Sequence, residues 1–204
     1  MYQPLIFSYL TTYVARDVVF YTITTISTSI ISIQNINKFI TEHKDSEYRF
    51  FHNNIEKTDL IHKLNLTNVL IKDIIKSHTK EKDKIDLIFD KIGAYNEETE
   101  SENNKISNEE EFSIISKNNE FDKIDINLPE PVKIAIVTTL EIIHKINYIF
   151  EKIHKKMIDY KNSYFNIYKL NIINEVNEVI HYNDIFNKRL NLMIKIIDIY
   201  KNKI

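Results

Sequence analysis

The chain has 204 residues, of which 43% are hydrophobic and 27% charged, with a formal net charge of −2. Those values belong to a folded globular protein and exclude a wholly disordered one. At this length folding removes roughly 70% of the unfolded surface from water, so no covalent staple is needed. The absence of cysteine excludes a disulfide framework and any thiolate metal site, and fits a reducing, cytoplasmic setting.

A single glycine and three prolines leave little material for sheet turns or for glycine loops that cradle phosphate. The prolines stand at positions 4, 129 and 131, so that residue interrupts nothing between Leu5 and Leu128. Helices are the expected structure. Isoleucine (39), lysine (24) and asparagine (23) dominate, whereas arginine occurs three times. All three abundant residues have A/T-rich codons, so this bias reads as genome composition.

The first predicted helix runs from about Leu5 to Glu42. Val19, Ile23, Ile26, Ile30, Ile33, Ile36 and Ile40 step by threes and fours and share one face. The 20 residues from Val18 to Asn37 carry no charge, which is the length of a bilayer span. Seven of them are Ser or Thr, joined by Gln34, Asn35 and Asn37, so an amphipathic helix buried in a core is the expected reading. Membrane association through residues 5–41 is its alternative. Met1 to Ala15 holds no basic residue of the kind that precedes a signal sequence.

After the charged stretch from Glu42 to Arg49, a second helix is predicted to start at Thr58 or Asp59, both competent N-caps. It carries Leu60, Ile61, Leu64, Val69, Leu70, Ile71, Ile74 and Ile75 and fades near His78. A short helix over about Asp83 to Ile92 would end at Gly93 in a left-handed cap. Residues 94–130 then hold 3 basic against 11 acidic residues, and residues 131–204 hold 12 against 7. With few apolar residues beyond Phe112, Ile114 and Ile115, the acidic stretch is expected to be a mobile loop.

Leu128-Pro129-Glu130-Pro131 reads as a helix start, with Pro131 tolerated in the first turn. Val132, Ile136, Thr139, Ile143, Ile146, Phe150, Ile153, Met157 and Tyr160 follow in an unbroken 4-3 rhythm. Ile172, Val176, Val179, Asn183, Phe186, Leu190, Met193, Ile197 and Tyr200 repeat it. Such spacing predicts two long helices packed in coiled-coil fashion along this seam. The asparagine-rich run Asn162 to Asn171 is expected to be the bend between them, one continuous helix being the alternative. Asn183 in the seam either fixes register or is an ordinary buried amide bonded to its neighbours.

The fold expected is all-α, four-helix-bundle-like, with a long N-terminal helix and a C-terminal antiparallel helical hairpin. Residues 1–93 form an N-terminal helical half, 94–128 the acidic loop and 129–204 the heptad hairpin, in one bundle domain.

The most suggestive chemistry is E-x-x-H, which occurs at Glu141/His144, Glu151/His154 and Glu178/His181. Di-iron bundles use two such pairs with two further glutamates. Here Glu151 and His154 fall on the flank of the seam, and Glu178 and His181 fall outside it. The first helix offers no carboxylate from Val18 to Thr41, so a solvated charged face accounts for all three pairs. Nucleophile elbows and phosphate-loop motifs are absent. The lysines Lys152, Lys155, Lys156, Lys161 and Lys169 gather towards the bend, but the scarcity of arginine speaks against nucleic acid. Tyr164, Phe165 and Tyr168 at the bend offer a partner surface, or else close the hairpin's own core.

The segments MYQPLIFSYLTTYVARDVVFYTI, EPVKIAIVTTLEIIHKINYIFEKI and NDIFNKRLNLMIKII resemble helical proteins encoded by mimivirus-like large DNA viruses. That resemblance covers about half the chain and implies a protein of infected host cytoplasm or of the virus particle. It brings no catalytic residue with it.

The functional expectation is a non-enzymatic helical interaction or scaffolding protein, self-associating or bound to a protein partner, without metal, cofactor or small-molecule substrate. A metal-binding helical enzyme is the further alternative.

Overall fold

The computed structural model describes residues 15–43, 46–80, 82–87, 89, 127–162 and 171–201. The described residues are almost all helical and contain no strand. Five helices carry the fold: α1 (Ala15–His43), α2 (Ser46–Thr58), α3 (Leu60–Ser77), α4 (Glu130–Asn162) and α5 (Ile173–Lys201). Residues 5–14 of the predicted first helix, the acidic stretch 94–126 and the end of the short helix at Gly93 lie outside the described residues. So do Tyr164, Phe165 and Tyr168 of the expected partner surface, and Lys169.

Cross-helix pairs give the directions. Thr25 on α1 meets His144 on α4, and Ser32 meets Asn147, so residue numbers rise together and the two helices run parallel. Lys156 on α4 meets Glu175 on α5, and Lys145 lies over the Tyr182 ring, so α4 and α5 are antiparallel. This excludes one continuous helix through the bend. Phe51 on α2 meets Phe150, while Lys63 on α3 reaches Asn183 beside Tyr182. At the base of the bundle, the Asn127 N–H donates to the His78 carbonyl at 3.4 Å. Together α2 and α3 thus descend against α4.

The result is an up-down-up-down bundle in which α2 and α3 share one leg. Round the bundle the order is α1, α4, α5 and then α2/α3. α4 has 33 residues and so a length of ~50 Å. It lies between α1 and α5, and one hydrophobic core joins all five helices.

Local sequence accounts for most of the boundaries. The Val132 and Lys133 amides both donate to the Pro129 carbonyl, so α4 begins where the proline pair predicts. Along α1, the buried Ile23, Ile26, Ile33 and Ile36 form the expected stripe. α2 was not expected. Phe51, Ile55 and Thr58 step by four and three onto its buried face, but the segment SEYRFFHNNIEKT is short and mostly polar.

α3 does start directly after Asp59, yet not by the expected capping mechanism. Asp59 has φ 50° and ψ 32° and its side chain makes no cap hydrogen bond. It is a left-handed joint between two helices, held by its N–H to the Glu56 carbonyl at 3.1 Å. A β-branched residue is poorly tolerated in that region, whereas glycine enters it freely. Asp59→Val should therefore lower stability by about 1–2 kcal/mol and Asp59→Gly should not, as read from urea unfolding midpoints.

Candidate functional site

The heptad seam faces inward. Val132, Ile136, Ile143, Ile146, Phe150, Ile153 and Met157 on α4 are fully buried. So are Val176, Val179, Phe186 and Met193 on α5, with Leu190 and Ile197 nearly so. The surface that could have zipped a second chain is occupied by this chain's own helices.

Polar residues concentrate where α1 meets α4. Thr22, Thr25 and Ser29 recur at three- and four-residue steps and are buried, as are Asn147 opposite and Thr139 in the α4 seam. Burial is tolerated because most of these hydroxyls bond backwards along their own helix. Thr25 Oγ1 donates to the Tyr21 carbonyl at 2.7 Å and Ser29 Oγ to the Thr25 carbonyl at 2.8 Å. Thr139 Oγ1 donates to the Ala135 carbonyl at 2.8 Å. The side-chain contacts from Ser32 and Thr25 that cross the interface are longer. Ser32 Oγ donates to Asn147 Oδ1 at 3.4 Å, and Thr25 Oγ1 lies 3.3 Å from His144 Nε2.

His144 is the chemically distinctive member. Its ring lies 4.7 Å, centre to centre, from the Tyr21 ring. Although the residue is half-buried overall, the loss of water around its imidazole pushes the pKa down from 6.5 to about 4. The imidazole is therefore neutral at pH 7. This corrects the expectation that all three E-x-x-H pairs lie on a solvated face. Glu151, His154, Glu178 and His181 are exposed as expected, but α1 covers His144. Among the described residues no group of three or more His, Asp or Glu side chains is placed to hold a metal ion.

A second polar tie closes the opposite side of the bundle. Lys63 Nζ donates to the Thr58 carbonyl at the α2–α3 joint and to Asn183 Oδ1 on α5, the latter at 3.2 Å. Burial draws the lysine pKa below its usual value, while Asp59 and Asp184 pull it back up. Asn183, buried, is thus bonded across to α3, which favours the ordinary bonded amide of the two expectations. Lys63 carried no sequence signal of its own. Its partner in α5 is 120 residues away.

On the outer surface, Lys152 stands over the Tyr148 ring at 4.4 Å and Lys145 over the Tyr182 ring at 5.6 Å. Lys156 bonds Glu175 Oε1 at 2.6 Å and the Asn171 carbonyl at 3.0 Å. Two lysines expected as a free basic cluster, Lys152 and Lys156, are therefore engaged within the hairpin. Exposed large apolar residues, including Leu66, Val69, Ile134, Tyr148, Leu192 and Ile199, are spread over α3, α4 and α5. Among the described residues no helix is long and apolar enough to cross a membrane. No protein-family model, curated protein or solved structure matches the chain.

Proposed function

We propose that the protein is a non-enzymatic helical scaffold or interaction protein. The observation that carries this reading is the use made of its half-buried titratable groups. His144 joins α4 to α1, and Lys63 joins α3 to α5 and to the α2–α3 joint. Both groups are chemically capable, and both are committed to helix-to-helix contacts. The cysteine-free composition fits work in a reducing compartment. A viral origin would put that work in host cytoplasm or in the particle.

The seam's internal use bears on self-association. Any contact with a second copy would have to employ outward side chains such as Tyr148, 58% exposed, rather than the heptad positions. Light scattering on detergent-free protein should therefore return the monomer mass of 24.3 kDa. A discrete oligomer that Tyr148→Glu disperses would place self-association on the outer α4 face. Stoichiometric iron, manganese or zinc in the purified protein would overturn the non-enzymatic reading.

A further inference from the structure

We infer that α1 is held against α4 by a proton-sensitive latch, in which the neutral imidazole of His144 sits between the Tyr21 ring and the Thr25 hydroxyl. The geometry comes first. His144 lies in the α1–α4 interface, 3.3 Å from Thr25 Oγ1 and with its ring 4.7 Å from that of Tyr21. From α1, the groups facing it are the Tyr21 phenol and the Thr25 hydroxyl. α1 carries no charged residue anywhere from Val18 to Asn37. From α4 itself, the neighbours on its own helix are Glu141 one turn earlier, Lys145 next in sequence and Tyr148 one turn later. Lys145 turns to Tyr182 of α5. Between Val18 and Asn37, α1 therefore supplies no carboxylate to an imidazolium, and burial is what lowers the His144 pKa. A proton taken up there is stabilised only if the ring leaves the interface towards solvent and Glu141.

Buried hydroxyls in the same interface, that of Ser29 among them, bond largely backwards along their own helix. The side-chain contacts from Thr25 to His144 and from Ser32 to Asn147, which cross the interface, are long ones of 3.3 and 3.4 Å. By contrast, the α4–α5 pair combines an apolar seam with the Lys156–Glu175 ion pair. Opening of α1 alone, exposing Ile23, Ile26, Ile33 and Ile36, is thus the protonation-coupled step.

The size of the bias follows from linkage. The pKa is about 4 when docked against 6.5 for a free imidazole. Lowering the pH from 7.5 to 5 then raises the equilibrium for α1 opening roughly 30-fold, and complete protonation raises it at most roughly 300-fold.

Hydrogen exchange on the full chain, read by mass spectrometry at pH 7.5 and 5.0 and corrected for intrinsic exchange rates, tests this. Amides of α1 should lose protection by about that 30-fold factor, while those of α5 keep theirs. In His144→Gln, which stays neutral, the pH response of α1 should vanish. Equal losses in α1 and α5, or an unaltered pH response in His144→Gln, would overturn the latch. If that variant proves unfolded by circular dichroism at pH 7.5, an NMR titration of wild-type His144 decides instead. A midpoint near 4 shared with α1 amide shifts supports the latch, and one near 6.5 rejects it.

Discussion

Phe150→Ala should lower the stability of the bundle by about 3–5 kcal/mol. Phe150 is fully buried, and its ring meets that of Phe51 at 6.4 Å in an edge-to-face arrangement of 76°. Truncation removes the apolar area of the ring and leaves a cavity where α2 and α4 face each other across the core. The flanking Ile146 and Ile153 are themselves fully buried and locked by neighbours, so collapse into the gap is limited. Urea unfolding followed by circular dichroism measures the loss directly. A double-mutant cycle with Phe51→Ala should give a coupling of about 0.5–1.5 kcal/mol for the ring pair. Tyr148→Ala on the exposed side of the same helix is the control and should change stability by less than about 0.5 kcal/mol. A Phe150→Ala loss below about 1 kcal/mol would contradict the buried position of this ring.

Lys63→Met should cost about 1–3 kcal/mol, even though it replaces a charge with an apolar chain of similar length. The ammonium of Lys63 donates to the Thr58 carbonyl and to Asn183 Oδ1, and both oxygens sit where water is scarce. Removing the donor leaves those acceptors unsatisfied, which is more costly than the bond itself was favourable. Asn183→Leu alone should also destabilise, because it withdraws an acceptor from a partly desolvated cation. The double variant should be less damaged than the two single losses added together, by about 0.5–3 kcal/mol, because each mutation removes the other's unpaired group. Simple additivity would mean that Lys63 and Asn183 do not interact.

Sequence alone determined the helical class and the long helical faces. It did so because those properties are local: few residues that break helices, a proline pair at the start of α4, and apolar side chains recurring at three and four residues. Val132 to Met157 and Val176 to Ile197 are buried where that rhythm puts them, and Ile23, Ile26, Ile33 and Ile36 likewise. α2 was hidden because 13 residues hold only a brief stripe, Phe51, Ile55 and Thr58, amid polar neighbours. The left-handed joint at Asp59 was hidden for another reason. An aspartate before an apolar run signals a cap, and only the preceding helix turns that position into a hinge.

Tertiary structure decided the rest. That α1 runs parallel to α4, and that α3 reaches α5, depends on contacts between residues more than a hundred positions apart. His144 shows the consequence. Its spacing from Glu141 is that of a surface charge pair, and nothing within one turn of α4 says that this flank will be covered. It is covered because α1, 119 residues earlier in the chain, packs there with a threonine and a tyrosine. Lys63 and Asn183 pose the same case on the other side of the bundle. Helical period tells which side chains share a face, but burial of a flank, and with it the protonation state of a histidine, is set by whichever helix arrives from elsewhere.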